Sequence, residues 1–363
     1  MPPLPSPASD TRRILVTGGA GFVGANLALA LAARGHEVVA LDNLRRRGAE
    51  LNLARLRAAG VAFVHGDVRQ LSDLLALDPV QAIVECSAEP SVLAGMSGPG
   101  SAYVVQSNLI GAYHCFELAR RDGAQVVFLS TSRVYPMGPL NALALREAGP
   151  RFELEAEQTV AGASSEGISE DFPLPGARTL YGATKLSAEL LLAEYADSFG
   201  LSAVIDRCGV IAGPWQMGKV DQGVFTHWLL AHHTGSPLSY IGYGGHGRQV
   251  RDLLHIDDLV ELIAEQLADP ERWAGATVNV GGGRQGSLSL AETTALCREI
   301  TGREVAVAPV LQDRPGDVPL YLSDCRRLFA RTDWRPQRSP RQVLQDTYAW
   351  IKANEREVLG ALG

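Results

Sequence analysis

Tyr181 and Lys185 stand four residues apart, and their chemistry depends on that spacing. On a helix, i and i+4 put the phenol and the ammonium on one face. A neighbouring cation stabilises a tyrosinate. Bringing a phenol from a pKa of about 10 towards 7 takes roughly 4 kcal/mol of differential stabilisation. Such a tyrosine can take a hydroxyl proton while a hydride leaves the same carbon. A further hydroxyl is offered by Ser130-Thr131-Ser132, after the apolar run Gln125-Val126-Val127-Phe128-Leu129. A hydroxyl at that strand end can bridge a substrate oxygen and the Tyr181 oxygen. The pair means little alone; it needs a hydride acceptor held nearby.

The acceptor's site is written near the start of the chain. The run Ile14-Leu15-Val16-Thr17 reads as a buried strand, and Ala25 to Leu31 as a helix. Between them lies Gly18-Gly19-Ala20-Gly21-Phe22-Val23-Gly24. Strand, glycine turn and helix form a pyrophosphate cradle. Gly18 permits the tight turn, Gly21 lets the backbone approach the phosphates, and Gly24 lets helix and strand pack closely. A second apolar strand, Val38 to Leu41, ends at Asp42, where a carboxylate can bond an adenosine ribose. The charge of Asp42 would repel a ribose 2′-phosphate, so NAD is expected in preference to NADP. The run Arg45-Arg46-Arg47 is read as a solvated basic loop.

Alternating elements must position these residues. Helices are expected over Leu51–Ala59, Leu71–Leu77, Val104–Arg121, Tyr181–Phe199, Val224–His232 and Asp257–Leu267. Strands are expected over Val61–Val64, Ala82–Cys86, Gln125–Leu129, Ser202–Arg207 and Thr277–Val280. Repeated βα units predict an α/β fold, a Rossmann-like doubly wound parallel sheet with ligands at the carboxyl ends of its strands. The expected division is a tail over 1–12 and a NAD-binding domain over 13–213, to which 252–283 return. A smaller, α-rich C-terminal substrate domain comprises 214–251 and 284–355. The segment from Tyr135 to Tyr181 has no clear period and reads as a lid or an insertion.

The 363 residues, 46% hydrophobic and 20% charged, have ordinary globular composition. A net charge of −7 gives no footprint for nucleic acid, so a polyanionic substrate needs local arginines. Five scattered cysteines without CxxC spacing suit a reduced, cytoplasmic protein. Met1 to Arg12 reads as a disordered tail and not a signal peptide, and no run is long enough to cross a membrane. His227, His232 and His233 do not share one helical face, and no metal is expected; His255 is expected to cap or pack at a helix start.

Together these motifs resemble the extended short-chain dehydrogenase/reductase family of nucleotide-sugar epimerases and dehydratases, from about Arg13 to about Trp350. The glycine turn looks like its TGxxGxxG motif, and Tyr181 with Lys185 its YxxxK pair. Asp42-Asn43-Leu44 and Gly66-Asp67-Val68 look like its ribose and adenine contacts, and Asn108 its structural asparagine. Within the family, Asp42 to Ala49, Val64 to Asp67, Asp221 to Gly223, Gly247 to His255 and Asn279 to Gly282 resemble a subfamily of CDP-sugar 2-epimerases.

The resemblance implies catalysis by Thr131, Tyr181 and Lys185. It implies NAD contacts at Gly18, Gly21, Phe22, Val23, Gly24, Asp42, Asn43, Asp67, Val68, Ser87, Ala88, Asn108, Ser130, Tyr181 and Lys185. Sugar 4,6-dehydratases of the family carry an Asp-Glu pair after the catalytic Thr; here Ser132 and Arg133 follow, which favours epimerisation. Substrate contacts are expected at Glu89, Ser132, Arg133, Gln216, Asp221, Gln222, Arg251 and Arg314. The expected substrate is a nucleoside-diphosphate sugar, and the helices over Asn108–Arg121 and Tyr181–Phe199 are expected to pair in a homodimer.

Overall fold

Seven short apolar runs lie side by side at the centre of the protein. Parallel strands covered on both faces are predominantly hydrophobic, and these are, with charges such as Glu85, Asp206 and Arg207 confined to a few positions. The structure, a computed structural model, describes residues 11–95, 100–218 and 223–362. The strands are β1 (Arg13–Thr17), β2 (Glu37–Asp42), β3 (Ala62–His65), β4 (Ala82–Glu85), β5 (Gln125–Thr131), β6 (Ala203–Cys208) and β7 (Ala276–Val280). Every pairing is parallel, in the order β7-β6-β5-β4-β1-β2-β3. The order reverses between β1 and β4. There the chain leaves β1 to one side and β4 to the other, and a crevice opens at the carboxyl ends.

Side chains alternate across this sheet. Ile14, Val16 and Val84 pack on one face with Leu27 and Leu31 of α1 (Phe22–Ala33) and Leu259 and Ile263 of the helix Ile256–Ala268. Leu15, Ile83 and Phe128 pack on the other with Phe116 of α2 (Gly111–Asp122) and Ala188 and Leu192 of α3 (Leu180–Phe199). The helix Ile256–Ala268 is capped by His255, whose Nδ1 accepts from the Asp257 amide at 3.0 Å, in keeping with its expected place.

Several elements differ from expectation. Helix α1 starts at Phe22, three residues early, because Gly21 serves as its N-cap. The helix expected from Val104 to Arg121 is present and starts earlier, at Ser101: the α-helix Ser101–Val105 passes through a π-helical turn over Gln106–Ile110 into α2. The tail expected over 1–12 is wrong at its end. The Arg12 guanidinium donates to Gln125 (3.0 Å) and to the carbonyls of Leu267 (2.5 Å) and Gln81 (2.8 Å); residues 1–10 lie outside the described residues.

The aperiodic segment before Tyr181 is built and fastened. It holds a hairpin, Leu145–Ala148 against Arg151–Leu154, and a short ladder, Ala163–Ser164 against Gly167–Ile168. Arg151 donates to Ser287 Oγ (2.6 Å), and Ile168 and Phe172 pack with Leu320 and Tyr321.

Beyond β6, the helices Val224–Thr234, Leu290–Thr301 and Pro340–Ala353 enclose a separate core with Trp228, Leu229, Leu344 and Trp350. This part also contains strands. Val250–His255 pairs with Val210–Ala212, Ser287–Ser289 and Leu320–Tyr321, and Leu238–Ile241 pairs with Val307–Val310. Apart from the six-residue Val250–His255, these strands have two to four residues and leave too short a pattern to be read as a period.

Candidate active site

The glycine loop leaves β1 in a left-handed turn at Gly18 (φ +60°). A Cβ on Gly24 would lie 2.2 Å from the Gly18 carbonyl oxygen, so the loop and α1 meet closely only with glycine there. Asp42, at the end of β2, accepts from the amides of Ala20 (3.1 Å) and Leu44 (2.8 Å) and ties the second strand to the loop. Burial raises its carboxyl above the usual range, against the pull of those amides.

A cavity of about 420 Å³ opens here. Gly18, Gly21, Phe22, Val23, Gly24, Asp42, Asn43, Asp67, Val68, Ser87 and Ala88 all lie on its wall, with Glu89 and Gln216. Tyr103, Trp215 and Met217 join them without having been foreseen. Glycines that a Cβ would clash with, a helix N-terminus facing in and a carboxylate at the second strand end suit a dinucleotide. Asp67 is clasped by Arg69 (2.6 Å) and by Asn43 (3.1 Å). Burial pushes its carboxyl up, but these bonds outweigh it and bring it down to about 2.

Thr179 caps α3 by accepting from the Gly182 amide (3.3 Å), which starts the helix just ahead of Tyr181. The π turn sets Asn108 facing both the loop after β4 and α3. Its amide donates to the Glu89 carbonyl (3.1 Å) and to Thr184 Oγ1 (3.3 Å), while its oxygen accepts from the Glu89 amide (2.7 Å). Thr131 ends β5; its Oγ1 accepts from the Arg133 amide (3.2 Å), and its side chain lies near enough to the Tyr181 phenol to act on its ionisation. Burial raises the Tyr181 phenol above its ordinary value, while Lys185, Thr131 and Arg133 act in the opposite direction.

Lys185 is fully enclosed. Its ammonium lies 3.1 Å from the carboxylate of Glu85, the last residue of β4, and 4.4 Å from the centre of the Phe128 ring. Burial works against the ammonium, but Glu85 and Tyr181 outweigh it and hold Lys185 protonated. The Ser87 hydroxyl donates to Glu85, and the Ser130 hydroxyl donates to Glu189 of α3, which also pairs with Arg207 of β6 (2.7 Å). Glu85, Glu189 and Arg207 were not foreseen. A charge ending or interrupting an apolar run calls for a buried partner, but the run does not say which residue that partner is.

On the substrate side, Ser132 opens the turn Ser132–Val134. Arg133 packs against the first turn of α3, where a Cβ on Gly182 would meet its carbonyl oxygen at 2.0 Å. Its guanidinium donates to the Gly316 carbonyl (3.0 Å). Arg251 pairs with Asp317 (2.5 Å) and donates to the Val318 carbonyl (2.7 Å). Both guanidiniums thus fasten to one short stretch, and burial with the charge of Arg251 lowers the Arg133 pKa. Arg314 lies near enough to His227 to act with burial in lowering that imidazole's pKa. The Gln216 amide is occupied internally, donating to Ile211 (2.8 Å) and accepting from Thr226 (2.8 Å). Asp221 and Gln222 lie outside the described residues. Among the described residues no cluster of His, Cys, Asp or Glu could hold a metal, and no helix is long and apolar enough to cross a membrane.

Residues 14–281 match the family described as the NAD dependent epimerase/dehydratase family, and the chain belongs to it. NAD is its cofactor. The chain is 28% identical to a CDP-paratose 2-epimerase of Salmonella typhi, over 94% of this chain and 99% of the relative. The crystal structure of a Thermus thermophilus UDP-glucose 4-epimerase with NAD superposes with a TM-score of 0.73 at 26% identity, covering 94% and 99% of the two chains. A dTDP-glucose 4,6-dehydratase from Streptomyces venezuelae with NAD bound gives a TM-score of 0.76 at 29% identity, covering 94% and 98%.

Proposed function

We propose that this protein is an NAD-dependent epimerase of a nucleoside-diphosphate hexose, acting at carbon 2 of a CDP-sugar. One observation carries the choice of epimerisation: Thr131 and Tyr181 are followed and flanked by Ser132 and Arg133, without the acid–base carboxylates that elimination needs. Tyr181 takes the hydroxyl proton, Thr131 orients the phenol and the sugar oxygen, and Lys185 favours the tyrosinate. NAD held by the Gly18–Gly24 turn and Asp42 would supply a hydride acceptor that is restored in each cycle, which would leave the reaction redox-neutral. The keto sugar turns in the pocket between the two transfers, and Tyr181 gives the proton back.

Arg251, Arg314 and Arg133 hold the diphosphate, for which paired guanidiniums are suited. Arg133 supports carbon 2, because its guanidinium is near enough to Tyr181 to act on the phenol. Carbon 2 adjoins the carbon that bears the phosphate, so an anion site beside Tyr181 suits it. The likeness to the CDP-paratose 2-epimerase supports the same reading. The likeness to the Thermus UDP-glucose 4-epimerase favours a second reading, carbon 4 of a UDP-sugar.

We assign NAD binding to 13–213 with 252–283, and sugar binding to 214–251 with 284–355. Exposed Ile110, Leu190 and Phe199 beside and along α2 and α3 support pairing of two copies, which light-scattering mass would test. The five free thiols fit a reducing cytoplasm.

The test is NMR of the protein with CDP-, UDP- and GDP-hexoses in deuterated water. A product inverted at carbon 2 of a CDP-sugar, without deuterium, is expected. Deuterium in the sugar would refute hydride return, and inversion at carbon 4 of a UDP-sugar would establish the second reading.

A further inference from the structure

Glu85 lies outside every motif used so far, yet it contacts the catalytic lysine. It is 0% exposed, at the carboxyl end of β4, and its carboxylate reaches the Lys185 ammonium across 3.1 Å. Two opposite charges that close in a buried site act on a third group as a dipole rather than as a single cation. We propose that Glu85 is a positioning residue that fixes the Lys185 ammonium and offsets its charge, so that ionisation of Tyr181 depends more strongly on the positive nicotinamide ring in the cleft. The proposal rests on the reading of Tyr181 as the base.

The surroundings leave Glu85 in that role. Tyr181 is faced by Thr131 of β5, by Arg133 just beyond it, by Cys208 of β6 and by Lys185 of its own helix. Lys185 is faced by Glu85 and Cys86 from the β4 side, by the Phe128 ring from β5, by Cys208 of β6 and, from α2, by Cys115, whose thiol burial pushes far up. Burial pushes the Cys86 and Cys208 thiols far up, so both are uncharged. Arg133 is fastened to Gly316, and the neighbouring Arg251 has Asp317 as its counter-charge. Among the described residues, Glu85 is the carboxylate in contact with the Lys185 ammonium.

Ser87 adjusts the pair. Its hydroxyl donates to Glu85 and withdraws part of the carboxylate's charge from Lys185. Ser87 also lines the dinucleotide cavity, so the residue that trims the Glu85 charge sits on the wall of the cofactor site. Removing Glu85's charge and removing Ser87's bond should therefore move Tyr181 in opposite directions. A residue that merely filled space would not produce opposite signs.

The experiment is a tyrosinate absorbance titration of the full-length protein, with and without NAD, subtracting the same curve for Tyr181→Phe. In the unsubstituted protein, NAD should lower the Tyr181 midpoint by about one pH unit, tenfold in the tyrosinate ratio. In Glu85→Gln without NAD, the midpoint should fall by a similar amount, and the NAD effect should shrink. In Ser87→Ala the midpoint should rise by about half a unit, roughly threefold. A Glu85→Gln curve that superposes on the unsubstituted one overturns the proposal. Should Glu85→Gln fail to fold, Ser87→Ala decides: a rise supports the proposal and an unchanged midpoint overturns it. The titration needs no sugar. A wrong substrate, or turnover that survives in Tyr181→Phe, would break the functional reading without moving these curves.

Discussion

The dinucleotide crevice and the sugar side are built in different ways. The phosphate cradle of the crevice is made of neighbours in sequence, Gly18 to Gly24, tied by the Asp42 carboxylate, while Tyr103, Trp215 and Met217 complete the wall from farther along the chain. The proposed sugar side is made of distant partners. Arg251 meets Asp317 across 66 positions, and Arg133 meets Gly316 across 183. Local backbone shape fixes the first, so it is the same whatever the sugar. Long-range side-chain pairing fixes the second, so substrate choice can change there without disturbing cofactor binding.

Substitutions on each side should separate the two. Gly24→Val drives a side chain into the Gly18 carbonyl, with only 2.2 Å available to its Cβ. It should weaken NAD binding by about a hundredfold or more, read by calorimetry, or prevent folding, read by circular dichroism. Tyr181→Phe lies between the two regions. It should lower kcat by about a thousandfold while NAD binds as before. Arg251→Met should raise KM for the nucleotide sugar about thirtyfold and leave the NAD affinity unchanged. A matching loss of NAD affinity in Arg251→Met would break the contrast.

The smallest effect tests the shared sheet. Asp206 of β6 is fully buried, and burial raises its carboxyl to about 7; Gln266 is its hydrogen-bond partner. The folded protein therefore binds this proton more tightly than the unfolded chain. Stability should be greatest below about pH 4 as far as this group is concerned, fall as pH rises to about 7, and then level off. Asp206→Asn should remove that slope and gain about 2 kcal/mol at pH 8 in urea unfolding, since its amide can donate to the unpartnered Gln266 Oε1.

What could be read from the sequence follows the same division. The parallel sheet was legible because most of its strands are short apolar runs, and the cradle because its glycines fall within seven residues. The Tyr181–Lys185 pair was legible because one helix turn separates its members. Glu85 was not, because its partner is 100 positions away and a carboxylate ending a strand has no period. The hairpin at Leu145–Leu154 was missed for a related reason: its partners, Ser287 and Glu292, come more than 130 positions later. Ser130 was expected to face the cofactor; its hydroxyl is bonded to Glu189, across 59 positions.

The π-helical turn over Gln106–Ile110 has one more residue in its hydrogen-bonded ring than an ordinary helical turn. That extra residue works as an angular spacer. Each residue of an α-helix advances the side-chain direction by about 100°, so one deletion upstream of Asn108 would rotate it away from Glu89 and Thr184. The irregular turn thus sets the rotational phase between the helix that begins at Ser101 and the catalytic helix. A chain shortened by one residue between Ser101 and Ser107 would form a more regular helix and hold its catalytic loop less well.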